Sequence, residues 1–134
     1  MYIHKTQIRT RYAETDQMGF IYYGNYAQYF EIGRVEALRN IGMSYRELEG
    51  NGIMLPVIDF QVNFYKPAFY DEILTIVTKI SELPLVRIKF EYETINEREE
   101  LINKASTTLV FIDRVKNKPC KVPDDFLLLL NKFF

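Results

Sequence analysis

Through most of the second half of the chain, apolar and polar residues alternate with a period of two. Ile58, Phe60, Val62 and Phe64 alternate with Asp59, Gln61 and Asn63, the pattern of a half-buried strand that ends at Lys66-Pro67. Leu74, Ile76 and Ile80 alternate with Thr75, Val77 and Lys79. The cleanest alternation sets Val86, Ile88, Phe90 and Tyr92 against Arg87, Lys89, Glu91 and Glu93. A fourth long strand is expected over 101–115, after a charged hairpin turn at 96–100. Short turns between consecutive strands predict antiparallel pairing, because a parallel crossover needs about a dozen residues or more.

The first half reads differently. Residues 5–12 form an expected first strand, followed by a loop over 13–24 that holds Gly19 and Gly24. Asn25 is a good N-cap for a helix running to about Ile41, with Gly42 as its stop. Ser44 and Glu47 match a capping box for a short second helix, and Asp124 is expected to cap a third over 125–132. The long helix has a core stripe at Tyr26, Phe30, Gly33, Ala37 and Ile41. Ala27, Tyr29, Ile32, Val35 and Leu38 spread apolar surface over much of the rest. A helix apolar nearly all round is buried nearly all round, so a sheet curls around it and a second subunit covers what remains. Gly33 would let a strand approach closely. The fold class is α+β: one antiparallel sheet with a long helix on one face, in a single domain over 1–134.

Composition narrows the possible partners. The 134 residues carry a formal net charge of −1, so no global field attracts nucleic acid. The longest apolar run, 126–130, is far below the roughly 20 residues of a membrane span. One cysteine excludes an intrachain disulfide, and no signal-like stretch opens the chain, which points to the cytoplasm. Ten Tyr and ten Phe fit either a sheet-rich core or an apolar ligand tunnel and subunit interface. A single His and a single Cys far apart offer no metal-ligand set, and His4 has no Ser or Cys nucleophile motif beside it.

Candidate chemistry lies in residues 11–34, where the carboxylate of Asp16 at the end of a strand is followed by a glycine-containing turn and then, by Tyr23–Asn25, a helix N-terminus. A helix N-terminus presents unpaired N–H groups and positive potential suited to a developing oxyanion. A carboxylate facing it supplies a general base or a nucleophile for acyl transfer. An Asp in a Thr-Asp-x-x-Gly stretch equally reads as an Asx-turn residue bonding its own backbone.

Several separate motifs carry a resemblance. Tyr12, Thr15-Asp16, Gly19, Phe20-Ile21, Tyr22 and Asn25-Tyr26, with Glu31 and Arg34, resemble the signature of the 4-hydroxybenzoyl-CoA thioesterase family of hotdog-fold proteins, which includes short acyl-CoA thioesterases associated with the Tol-Pal system. The likeness continues through 63–68, 70–72, 111–113 and 118–119.

The resemblance implies hydrolysis of an acyl-CoA thioester to free acid and CoA, with CoA part of the substrate and no separate cofactor or metal. Asp16 takes the catalytic carboxylate's place. Tyr23 takes the position whose backbone N–H polarises the thioester carbonyl, where many relatives carry His. Gly19, Tyr22, Asn25 and Tyr26 are expected at the substrate, with Lys66 and Lys118 as candidates for the CoA phosphates. The family also implies a homodimer or homotetramer with active sites at the seam between protomers. Glu31 on an apolar helix side is expected to pair with Arg34, orienting the helix or supporting Asp16. The rival readings are a non-catalytic acyl-CoA or acyl-carrier-protein binding module, and an assembly subunit with an aromatic surface.

Overall fold

The computed structural model describes residues 1–134. Strand β1 (Tyr2–Arg9) leads through a loop and a 3-10 turn at Tyr23–Asn25 into the 15-residue helix α1 (Tyr26–Asn40). Then come α2 (Tyr45–Gly50), β2 (Ile53–Met54), β3 (Val57–Phe64), β4 (Ile73–Ile80), β5 (Arg87–Ile95) and β6 (Leu101–Val110). The chain ends with β7 (Ile112–Asp113), β8 (Lys118–Pro119) and α3 (Asp124–Asn131). Five strands form one antiparallel sheet in the order β1-β4-β5-β6-β3, and β2, β7 and β8 form a small second sheet. The large sheet wraps α1, the hotdog arrangement.

The core lies between helix and sheet. Phe30 is fully buried and stacks on Tyr92 of β5 with ring centroids 4.6 Å apart, while Leu74, Ile76 and Ile80 of β4 are fully buried. Gly33 does bring a strand close: a methyl there would lie 2.7 Å from Thr78 Oγ1 and 2.8 Å from Ile76 Cγ2.

Several expectations need correction. β1 begins at Tyr2 and ends at Arg9, because residues 12–14 turn into a short 3-10 helix; His4 therefore sits inside the strand. β3 and β4 are consecutive but not neighbours. β3 pairs with β6, and β4 lies between β1 and β5. β3 is thus an edge strand, and its residues are exposed rather than half-buried, Val62 excepted. The expected strand over 101–115 breaks at Phe111, whose fully buried ring packs on Phe126 of α3 and turns the chain into the small sheet. Helix α3 starts at Asp124 itself.

Ser44 does cap α2, accepting from the Glu47 N–H. Asn25 stands at the start of α1, yet its amide donates to the Glu14 carbonyl instead of capping the helix. Within the one chain the sheet leaves part of α1 uncovered, with Ala27, Glu31 and Ile32 exposed, the share expected to fall to a second subunit. Glu31 makes no ion pair with Arg34. The Arg34 side chain is turned inward, where its Nε donates to the Tyr45 hydroxyl at 2.8 Å, and Glu31 faces outward. No helix is long and apolar enough to cross a membrane.

Candidate active site

The loop after β1 folds on itself before it reaches the helix. Gly19 adopts φ +80°, a conformation that favours glycine, and lets the chain reverse within four residues. The reversal is closed by the Asp16 N–H bonding the Phe20 carbonyl at 2.8 Å. Asp16 Oδ1 accepts from the N–H groups of Met18 (2.9 Å) and Phe20 (3.1 Å). These bonds form an Asx turn, and no hydrogen bond from the chain reaches Oδ2. The carboxylate is held by one oxygen and presents the other.

One strap fixes this loop to the rest of the molecule, and a second closes it on itself. The Ile21 N–H bonds the Ala68 carbonyl at 2.8 Å, and the Phe20 and Phe69 rings pack edge to face. The Tyr22 N–H bonds the Glu14 carbonyl at 2.8 Å. Tyr23 then opens the 3-10 turn that runs into α1, and no acceptor in the chain takes its N–H. Such leading N–H groups carry the positive end of the helix potential. At Gly24 next, a methyl would sit 2.8 Å from the ring of the exposed Tyr22, which packs tilted against Tyr23 and would have to move.

A cleft of about 330 Å³ gathers Asp16, Met18, Tyr23, Tyr26, Phe64 and Lys66 along its walls, with further aromatic surface from Phe20 and Tyr65. Burial pushes the Tyr26 hydroxyl well above the usual tyrosine range, with the Glu72 carboxylate adding to the shift, so it stays protonated. Lys66 is the one cation on the wall, and its ammonium is ion-paired with Glu100. Three partners, led by Lys66, hold the Glu100 carboxyl down at about 2.

The fold therefore gathers Asp16, Tyr23, Tyr26 and Lys66, four of the residues expected at the site. Gly19 shapes the loop, Tyr22 packs behind Tyr23, and Asn25 ties the helix start to Glu14; none of the three lines the cleft. Lys118 lies in β8 opposite Asp113 in the small sheet, away from the cleft. Glu31 and Arg34 are on α1 beyond the cleft and make no contact with Asp16.

Sequence reasoning missed Glu14, Phe64 as a wall, and Tyr29. Glu14 Oε1 accepts from the Arg11 N–H at 2.8 Å, and the i,i+3 spacing of that bond was the available signal.

Comparison with known proteins settles what family this geometry belongs to. Residues 10–130 match the model of the thioesterase-like superfamily. The chain belongs to that superfamily. It is a thioester hydrolase, and its relatives agree along nearly their whole lengths. It is 34% identical over 119 residues to YneP of Bacillus subtilis, covering 89% of this chain and 86% of YneP. It is 30% identical over 116 residues to the acyl-CoA thioester hydrolase YbgC of Escherichia coli, covering 87% of each. Among solved structures, the DHNA-CoA thioesterase of Staphylococcus aureus superposes with a TM-score of 0.94 at 38% identity, over 99% of this chain and 91% of that one. A 4-hydroxybenzoyl CoA thioesterase shares the fold at TM-score 0.86 and 21% identity.

Proposed function

We propose that this thioesterase hydrolyses an acyl-CoA thioester to a free carboxylic acid and CoA at the cleft between Asp16 and the start of α1. The observation that carries the reading is the pairing of a carboxylate, held by one oxygen and open at the other, with the unpaired Tyr23 N–H on the same cleft. In the reaction the Asp16 carboxylate drives attack on the thioester carbon, by drawing a proton from water or by attacking it directly. The carbonyl oxygen gains charge and is stabilised by the Tyr23 N–H and the helix potential behind it. The C–S bond then breaks and the CoA sulfur takes up a proton, from the protonated Asp16 in the water route or from solvent in the direct route. In the direct route a water then hydrolyses the Asp16–acyl anhydride, releasing the acid and restoring the carboxylate. CoA is part of the substrate, and the chemistry proposed calls on no cofactor. Tyr stands where many relatives have His, so the backbone N–H, not a side chain, supplies the polarisation.

Aromatic walls suit an apolar or aromatic acyl group. The relatives named for acyl-CoA and DHNA-CoA substrates favour CoA as the carrier. Lys66 is the cation placed to meet the CoA phosphates, exchanging its Glu100 partner for them. The cleft is open on one side, and the bare apolar edge at β3 borders it through Phe64. We place a second copy of the chain there, making a homodimer whose seam completes the cleft.

The test is thiol release from a panel of alkyl and aryl acyl-CoAs by wild type and Asp16→Asn. Wild type should turn over at least one member, and the variant should lose about 100-fold or more in kcat. Full activity in Asp16→Asn, or binding of the panel without turnover by wild type, would sink the reading.

A further inference from the structure

Glu14 lies outside the cleft, yet it holds together both halves of the site. Its backbone carbonyl accepts from the Tyr22 N–H, the peptide just before Tyr23, and from Asn25 Nδ2 at the helix start, each at 2.8 Å. Its carboxylate Oε1 accepts from the Tyr29 hydroxyl at 2.7 Å and from the Arg11 N–H at 2.8 Å. Glu14 is two residues before Asp16, so a single residue links the carboxylate loop, the peptide ahead of Tyr23 and the first turn of α1.

We propose that Glu14 and Tyr29 form a clamp that sets the separation between the Asp16 carboxylate and the Tyr23 N–H, and so act as positioning residues for thioester hydrolysis. The proposal rests on the reading that those two groups act on the same thioester. Neither residue lines the cleft, so neither touches the acyl group. Tyr29 is buried, 2% exposed, and packs edge to face against Tyr26, so the helix side of the clamp cannot swing. Burial and the bond to Glu14 both push the Tyr29 hydroxyl well above the usual tyrosine range, so it stays protonated and donates to the Glu14 carboxylate.

The loop side has more freedom. The backbone from Arg11 to Tyr22 makes no main-chain hydrogen bond to α1. Besides the Tyr22 carbonyl, which accepts from the Asn25 N–H at 2.9 Å, its attachments to the helix segment run through Glu14, from its carbonyl to Asn25 and from its carboxylate to Tyr29. Releasing the carboxylate leaves the Asx turn and the backbone bonds at Ile21 and Tyr22 intact but removes the one side-chain tie from the loop to the body of α1, letting the Arg11–Asp16 side of the loop shift relative to the helix. A misplacement near 1 Å in such a site costs about 100-fold in rate.

Three variants, assayed beside Asp16→Asn on the same acyl-CoA, test the clamp. Tyr29→Phe should lower kcat about 10- to 100-fold while KM stays within about threefold and the thermal midpoint changes little. Glu14→Gln, which keeps an acceptor oxygen for Tyr29, should retain most of the activity. Adding Glu14→Ala to Tyr29→Phe should cost no more than Glu14→Ala alone, because both remove one interaction. Should Glu14→Ala fail to fold, Tyr29→Phe and Glu14→Gln still decide the matter. Wild-type kcat in Tyr29→Phe, or losses that multiply in the double variant, overturns the clamp alone when Asp16→Asn is inactive. Full activity in Asp16→Asn overturns the underlying reading and the clamp with it.

Discussion

At Asp16, one carboxylate oxygen meets the turn reading of the sequence, and the other is left without a partner for the role proposed above. Oδ1 does the work of an Asx turn, accepting two backbone N–H groups, while Oδ2 takes no hydrogen bond from the chain and Asp16 lines the cleft. Residue types alone could not divide the side chain in this way, because Thr-Asp-x-x-Gly specifies a turn without specifying what lies opposite. Asn25 shows the same limit. Its position at the helix start was legible from capping preference, but its amide is drawn off by the Glu14 carbonyl across 11 residues. Gly33 was legible in both place and purpose. Its replacement by Ala gains helix propensity of about 1 kcal/mol but drives a methyl to 2.7 Å from Thr78 Oγ1 and 2.8 Å from Ile76 Cγ2. Both neighbours are β-branched and seated in the sheet, so the clash wins. Chemical denaturation of Gly33→Ala should show a net loss of about 1–2 kcal/mol.

Among the elements, α1 and the strands β4 and β5 were readable because their periodicities are long and regular. The element boundaries that failed did so where a tertiary contact intervened. The strand over 101–115 breaks because Phe111 turns inward to meet Phe126. The supposed Glu31–Arg34 pair fails because Arg34 reaches Tyr45 in the next helix instead. The hairpin between β5 and β6 carries its own electrostatic signature. Glu100 there collects Lys66, Asn96 and Arg98, which lower its carboxyl from 4.5 to about 2. A depressed carboxyl stabilises the fold above its unfolded value and loses that contribution as pH falls toward the folded one. Acid titration of unfolding midpoints should therefore show a decline between about pH 4.5 and pH 2 that is shallower in Glu100→Gln. A parallel decline in both proteins would assign the acid sensitivity elsewhere.

For the whole molecule, strand order was the part least visible in the sequence. Short connections argued for neighbours, yet the link after Lys66-Pro67 carries the chain from one edge of the sheet to a place between β1 and β5. That crossing leaves β3 on the outside with Val57, Ile58, Phe60 and Phe64 each 44–49% exposed. A bare apolar edge invites pairing with another chain. Under the proposed dimer, Ile58→Lys should shift the protein to a monomer in sedimentation or light scattering and lower kcat/KM. A variant that stays in the wild-type assembly would move the seam to another face.

The Asx turn has a consequence for how activity depends on the amount of protein. Asp16 is aimed by bonds closed within residues 16–20, so its orientation does not wait for a second chain. If the proposed dimer dissociates on dilution, the cleft loses a wall while the Asp16 carboxylate keeps its orientation. Under the proposed dimer, specific activity should fall with dilution in step with the paired fraction and recover by mass action on reconcentration.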